Sequence, residues 1–94
     1  MHASIVSFDV APEHLETATA GIKANSSHLP NTPGFQHGYW IYDRDQNRML
    51  AVVIFDTAEH AKSAWEEAKP RVTEAVKSVG ATPDPHSGEV IHHV

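Results

Sequence analysis

The segment Pro33–Phe55 constrains this chain most, because it combines a turn, an aromatic stretch, a polar stretch and an apolar stretch. Pro33 and Gly34 are typical of a type II turn, since proline presets φ at the second position and glycine accepts the positive φ of the third. Phe35–Tyr42 and Met49–Phe55 are rich in β-branched and aromatic residues, and a polar connection separates them. The segment therefore predicts a β-hairpin whose strands are apolar on both faces.

Side chains alternate between the two faces of a strand, which divides the aromatic residues of the first hairpin strand. One face is expected to carry Phe35, His37, Tyr39 and Ile41, and the other face carries the residues between them. Tyr39 and Trp40 consequently point to opposite sides of the sheet. No single pocket can use both of them.

The residues before the hairpin predict one strand and one helix. Apolar and polar residues alternate over Ala3–Val10, which indicates a strand. Pro12 fits the first position of a helix that has an apolar stripe and ends by about residue 29, before the next proline. Gly21 lies in the middle of this helix and is expected to permit a close approach to the sheet.

The residues after the hairpin predict a second helix and a last strand. Asp56 and Glu59 have the spacing of a capping box, in which Asp56 would cap the free N–H groups. Pro70 is expected to break this helix and to open a further one that ends at Gly80. Glu89–Val94 is the expected final strand.

The resulting element order, β-α-β-β-α-β, predicts an α+β ferredoxin-like fold. Right-handed crossovers favour a four-stranded antiparallel sheet in the order 4-1-3-2, with the helices on one face. The other face is apolar but has no cover from its own chain, which favours a homodimer formed through this sheet face. No linker or repeat divides residues 1–94, so we expect one domain.

Composition narrows the classes of function. The chain has no cysteine, which excludes disulfides, thiolate metal sites and a cysteine nucleophile. A formal charge of −5 without a basic cluster argues against nucleic acid as a partner. No apolar run approaches the ~18 residues of a membrane helix. The first residues do not resemble a signal peptide, so we expect a cytoplasmic protein without membrane association.

The Pro-Gly-Phe turn with its aromatic strand, the apolar strand ending VVIFDT and the following AEHA helix resemble a known family. This is the antibiotic-biosynthesis-monooxygenase-like group of the dimeric α+β barrel superfamily. The similarity in element order spans nearly the whole chain, and its specific part is Pro33–Ala64. The resemblance implies a homodimer whose sheets form a barrel, with a small-ligand cavity between sheet and helices in each protomer. Members include cofactor-independent oxygenases of aromatic polyketides, haem-degrading oxygenases and small isomerases.

The resemblance does not extend to the haem-degrading branch. That branch has an asparagine on the first strand, a tryptophan in the second helix and an axial histidine about ten residues later. Trp65 matches the tryptophan, but Ala75 stands at the position of the histidine. The first strand offers only Ser7 or Asp9 in place of the asparagine. We therefore expect no haem and no other cofactor.

Four side chains are candidates for chemistry under this resemblance. His37 would act as the base or hydrogen-bond acceptor that prepares a phenolate or enolate for reaction with oxygen. Tyr39, Trp40 and Trp65 are the candidates to line a pocket for an apolar or aromatic ligand. The alternative is that the tryptophans are anchors of the core or of the dimer interface.

Two functions follow from these residues. The first is a cofactor-independent monooxygenase or a related small-molecule enzyme that acts on an apolar or aromatic substrate. The alternative is a non-catalytic homodimer that binds a small apolar ligand or only assembles.

The eight histidines are scattered along the chain and predict no metal site. His2 is expected to lie near His92 and His93, because the first and last strands should be antiparallel neighbours. Adjacent residues of a strand point to opposite faces, so at most one of that pair could join His2. Ser26–His28 are neighbours only in sequence and do not predict a catalytic triad.

Overall fold

The computed structural model describes all 94 residues and has the predicted element order. The strands and helices are β1 (His2–Asp9), α1 (Leu15–Ser26), β2 (Phe35–Asp43), β3 (Arg48–Phe55), α2 (Ala58–Lys77) and β4 (Asp84–Glu89). The strands form one antiparallel sheet in the order β2-β3-β1-β4, which confirms the predicted ferredoxin-like α+β fold. Neither helix has the length and apolar character that a membrane-spanning segment needs.

The first helical region is divided into three parts. Pro12–His14 forms a 3₁₀ turn, α1 follows from Leu15, and a second 3₁₀ turn covers Leu29–Asn31. The predicted single helix was therefore too long at both ends. Each 3₁₀ turn contains a proline in its first positions, where the missing N–H group has no helical partner to lose.

The turn before β2 confirms the type II prediction. The N–H group of Phe35 donates to the carbonyl of Thr32 at 3.1 Å, and Gly34 has a φ of 80°. A side chain at this position would be strained by the positive φ. The turn also brings Gly34 against the start of α2, where the N–H group of Asp56 donates to its carbonyl at 2.9 Å.

A β-bulge near the start of β2 corrects the predicted faces. Phe35 lies opposite Phe55, but His37 already lies opposite Ile54, so Gln36 is the extra residue of the bulge. The bulge shifts the alternation by one residue and turns Phe35 to the helix side. There its ring meets the ring of Phe55 edge to face, with the centroids 6.3 Å apart. From His37 onward the predicted alternation holds.

Helix α2 is continuous, so the predicted break at Pro70 is wrong. Proline removes one backbone hydrogen bond, and Pro70 is exposed, so water can reach the carbonyl that loses its partner. Trp65 before Pro70 and Val72 after it both pack against the core, which holds the two halves on one axis. Packing outweighs the local cost of the proline.

The cap of α2 also differs from the prediction. Thr57, not Asp56, is the N-cap residue, and its hydroxyl oxygen accepts from the N–H group of His60 at 3.1 Å. The Asp56 carboxylate instead contacts the His60 ring, with 2.6 Å between Oδ1 and Nδ1. Both residues have side chains suited to an N-cap, and Thr57 has the extended backbone conformation that is typical of this position.

Strand β4 covers Asp84–Glu89 instead of the predicted Glu89–Val94. Its partner β1 explains the shift, because His2 already lies opposite Glu89 and later residues have no strand beside them. Proline and glycine occur within β4, which an edge strand tolerates. His92 and His93 lie beyond the sheet, and no group of three possible metal-binding side chains exists.

The two faces of the sheet have different surroundings. The helix-covered face carries the buried core, formed by Val6, Phe8, Val10 and Met49 with Val76 of α2. The other face, here called the open face, has no cover from the chain. Rows such as Ile5, Val52 and Tyr39 cross the open face from β1 to β2.

Candidate functional site

A cavity of about 280 Å³ lies between the sheet and the two helices. Its size is just below the range for small-molecule sites, about 300–1,000 Å³. Sixteen of its 23 lining residues are hydrophobic, so it favours an apolar molecule. The sheet contributes Val6, Phe8, Trp40, Ala51, Val53 and Phe55 to this lining.

Small residues on the helices create the space. The small residues that line the cavity are Ala18 and Gly21 of α1 and Ala64, Ala68 and Ala75 of α2. A Cβ atom added to Gly21 would meet no heavy atom within 4 Å. The sequence predicted that Gly21 permits a close approach to the sheet. The structure instead has open space beside Gly21.

Trp40 and Trp65 both line the cavity, Trp40 from β2 and Trp65 from α2. They are the only tryptophans of the chain. Gly38 makes room for the first indole, because a Cβ atom there would lie 3.1 Å from Cη2 and Cζ3 of Trp40. The aromatic lining therefore depends on a glycine two residues earlier on the same face of β2.

His37 and Tyr39 do not line the cavity. His37 lies opposite Ile54, whose two neighbours Val53 and Phe55 line the cavity, so His37 is on the open face. Tyr39 is on the same face and is 58% exposed. The structure thus separates the four sequence candidates into two pairs on opposite faces of the sheet.

The cavity has one titratable lining residue, His28, which the sequence did not mark as a site residue. It follows α1 and precedes the second 3₁₀ turn. Its carbonyl accepts from the N–H group of Asn31 at 3.0 Å and from the Thr32 hydroxyl at 3.4 Å, which holds the backbone in place. No acidic side chain and no lysine or arginine lines the cavity.

Three polar residues of α1, Thr17, Asn25 and Ser26, also line the cavity. Asn25 and Ser26 follow the apolar residue Ile22 by three and four positions, so they lie on the apolar stripe of α1. Polar side chains on a stripe that faces the core are a signal that sequence reasoning could have used.

The His28 ring is held by α2. Nη2 of Arg71 lies 3.1 Å from Nε2 of His28, and Nη1 of Arg71 lies 3.5 Å from Oε1 of Glu67. A guanidinium group carries donors only, so Nε2 of His28 is the acceptor in this contact. The tautomer is assigned from this partner, which places the proton of the neutral ring on Nδ1.

Two further titratable clusters lie outside the cavity. On the open face, Arg48 donates to Asp9 at 2.8 Å and to the Ser7 hydroxyl at 2.9 Å. At the start of α2, the hydrogen bond from the His60 ring holds the pKa of Asp56 below its ordinary value. Both clusters join elements of the fold, and neither contributes to the cavity.

No family model and no curated protein matches the chain in sequence. Solved structures share its fold. One is a protein from Deinococcus radiodurans named "putative antibiotic biosynthesis monooxygenase", with a TM-score of 0.82, 13% identity and coverage of 100% of this chain and 96% of that one. Another is SnoaB from Streptomyces nogalater, named a cofactor-independent oxygenase, with a TM-score of 0.71, 15% identity and coverage of 99% and 95%.

A third similar structure is a dimeric ferredoxin-like protein from an uncultured marine organism. It has a TM-score of 0.72 and 16% identity, and the match covers 99% of this chain and 96% of that one. At these identities the similarity concerns the fold. The fold is that of proteins named "putative antibiotic biosynthesis monooxygenase", as the resemblance in sequence predicted.

Proposed function

We propose that the protein binds a small apolar or aromatic molecule in the cavity between sheet and helices, and oxidises it as a cofactor-independent monooxygenase or a related small-molecule enzyme. The observation that carries the proposal is the cavity itself, which is mainly apolar and contains both tryptophans of the chain. Aromatic side chains favour flat aromatic ligands through stacked and edge-to-face contacts. The fold shared with SnoaB supports the same class of activity.

The chemistry of this class suits an apolar site. In the oxidation of an anthrone-type methylene, O₂ supplies one oxygen atom to the new carbonyl and the other leaves as water. The substrate supplies the electrons, so no other reductant is needed. An apolar cavity admits O₂ and excludes bulk water from the reactive carbanion or phenolate.

A catalytic role of His37 stays a prediction. His37 is on the open face, so it could act only on a substrate bound there and not on one in the cavity. If the cavity is the active site, His37→Ala should keep the activity of the wild type. Gly21→Leu, which adds a side chain to open space in the cavity, should abolish most of it.

The experiment is oxygen consumption with an anthrone- or quinol-type substrate, combined with ¹⁸O₂ labelling of the product. We expect saturable oxygen uptake by the wild type and by His37→Ala, one labelled oxygen in the product, and little uptake by Gly21→Leu. Oxygen uptake that Gly21→Leu retains and His37→Ala loses would contradict the cavity as the active site. Uptake no faster than in buffer for all three proteins would contradict the enzymatic function.

A second candidate is a protein that binds the same class of ligand without acting on it. The observation that favours it is the scarcity of titratable groups in the lining. His28 is the cavity's only titratable residue and is itself exposed. A site with one such group has few means for acid–base catalysis. Saturable binding of the anthrone without oxygen uptake would support this candidate.

We also infer that the protein is a homodimer that covers the open face. Tyr39 and Ile41 are 58% and 51% exposed, and they lie beside the partly exposed Leu50 and Val52. A continuous apolar patch of this kind marks an interaction surface. The fold shared with a protein named dimeric supports a second copy as the partner.

A further inference from the structure

We propose that His28 is a specificity-determining residue that donates a hydrogen bond from Nδ1 to a carbonyl or phenolate oxygen of the ligand. This inference rests on the proposed binding of an aromatic molecule in the cavity. It assigns the orientation of that molecule, with its oxygen toward the end of α1. The donor role differs from that of a general base, which would need a free ring nitrogen without a proton.

The hydrogen bonds of the ring define the donor. Nε2 of His28 accepts from the Arg71 guanidinium at 3.1 Å, and this contact exists only while Nε2 carries no proton. The neutral ring then carries its proton on Nδ1. Nδ1 makes no hydrogen bond within the chain, so its donor is free for a molecule in the cavity that His28 lines.

His28 is also held in place at both its backbone and its ring. The His28 carbonyl accepts from the N–H group of Asn31 and from the Thr32 hydroxyl, which holds the backbone. The guanidinium that bonds to Nε2 is itself paired with Glu67, one turn earlier on α2, at 3.5 Å. A donor that is positioned before the ligand arrives loses little conformational freedom on binding.

The charge beside the ring determines which oxygen it prefers. The cationic Arg71 lies on the far side of the ring from its free donor, and a hydrogen-bonded cation polarises the N–H group on the opposite side. Such a donor binds an oxygen with negative charge better than an uncharged one. The remaining lining carries no charge, so among the polar groups of the cavity His28 is the one whose donor is polarised by a bound cation.

The test compares 1,4-naphthoquinone with naphthalene, which has the same ring frame but no oxygen. Because both tryptophans line the cavity, quenching of their fluorescence measures the two dissociation constants. In His28→Leu we expect the preference for the quinone to fall by about 2- to 10-fold, the value of one hydrogen bond, while the affinity for naphthalene is kept. Arg71→Met should reduce the preference by a smaller factor.

Two variants separate the donor role from a change in shape or charge. His28→Asn places an amide NH₂ group near the position of Nδ1, so it should keep more of the preference than His28→Leu. Lys69→Met removes a positive charge from the same helix without a contact to His28, and it should behave as the wild type. An equal preference for the quinone in wild type and His28→Leu would overturn the role of His28.

The other outcomes are equally decisive. If His28→Leu weakens both probes by the same factor, His28 only shapes the cavity and the donor role is wrong. If neither probe quenches the wild type in a saturable way, the proposed binding function fails together with this inference. Saturable binding of both probes without any preference overturns the inference alone and leaves the binding function standing.

Discussion

Replacing Gly21 with alanine should stabilise the protein and narrow its cavity at the same time. Gly21 lies inside α1, where alanine is more favourable than glycine by about 1 kcal/mol. The added Cβ atom meets nothing within 4 Å, so no steric cost offsets this gain. The free energy of unfolding should therefore rise by about 1 kcal/mol, which corresponds to about 4–8 °C in Tm for a domain of this size.

A larger side chain at position 21 tests whether the cavity binds the ligand, because it fills part of the cavity volume. A methyl group takes up about the volume of a water molecule, ~30 Å³, or roughly a tenth of the 280 Å³ cavity. The leucine side chain has four carbon atoms, so leucine at position 21 fills about four times the volume that the single methyl group of alanine fills. If it displaces about 60 Å² of buried ligand surface, the loss is about 1.5 kcal/mol, or roughly tenfold in the affinity for an aromatic probe.

Thermal unfolding and a ligand titration check both effects, and α1 offers a matched control. Ala20→Leu adds the same side chain at an exposed position of the helix and should leave the ligand affinity unchanged. A lower Tm of Gly21→Ala than of the wild type would refute the reasoning. It would mean that the added methyl group collides with the sheet and that the cavity beside Gly21 does not exist.

Three other predictions concern the turn, the cap of α2 and the open face. Gly34→Ala and Gly80→Ala both force a side chain onto a positive φ, but only at Gly34 would the Cβ atom also collide, with Asp56 and with Nδ1 of His60 at 2.5 Å. In urea titrations Gly34→Ala should therefore cost ~1–3 kcal/mol more than Gly80→Ala, and equal costs would contradict this. The pKa of Asp56 is lowered in the folded state, so its stabilising effect is present above the ordinary value of 3.8 and is lost as the pH falls below it. Unfolding curves of wild type and Asp56→Asn should accordingly converge in acid, and a constant difference would argue against the pair with His60. Ile41→Asp should give a monomer by light scattering at micromolar concentration, where the wild type is a dimer, and a monomeric wild type would contradict the proposed dimer.

The sequence was sufficient for the order of elements because each signal was local. Alternation marked the strands, the Pro33-Gly34 pair marked the turn, and right-handed crossovers then left one strand order. The bulge at Gln36 was beyond such reasoning, since inserting one residue shifts the faces without changing the composition of the strand. The position of β4 is set by its register with β1, and this register cannot be deduced from the sequence of either strand alone.

Sequence reasoning reached only part of the candidate site, because the rest depends on contacts between elements that are far apart in sequence. The alternation on β2 separated Trp40 from Tyr39 correctly, but it could not decide which face the helices would cover. His28 became part of the cavity only through the turn after α1 and the contact with Arg71, which is 43 residues away in sequence. Pro70 shows the opposite case, in which tertiary packing maintains a helix that a local rule would break.

The most direct test of the central claim is to observe where an aromatic ligand binds. A ¹⁵N-resolved NMR titration with 1,4-naphthoquinone can follow the indole N–H signals of Trp40 and Trp65 together with the backbone amides of His37 and Tyr39. If the ligand enters the cavity between sheet and helices, both indole signals should shift in a saturable way. Larger shifts at His37 and Tyr39, with the indole signals unchanged, would place the ligand on the open face and contradict the account.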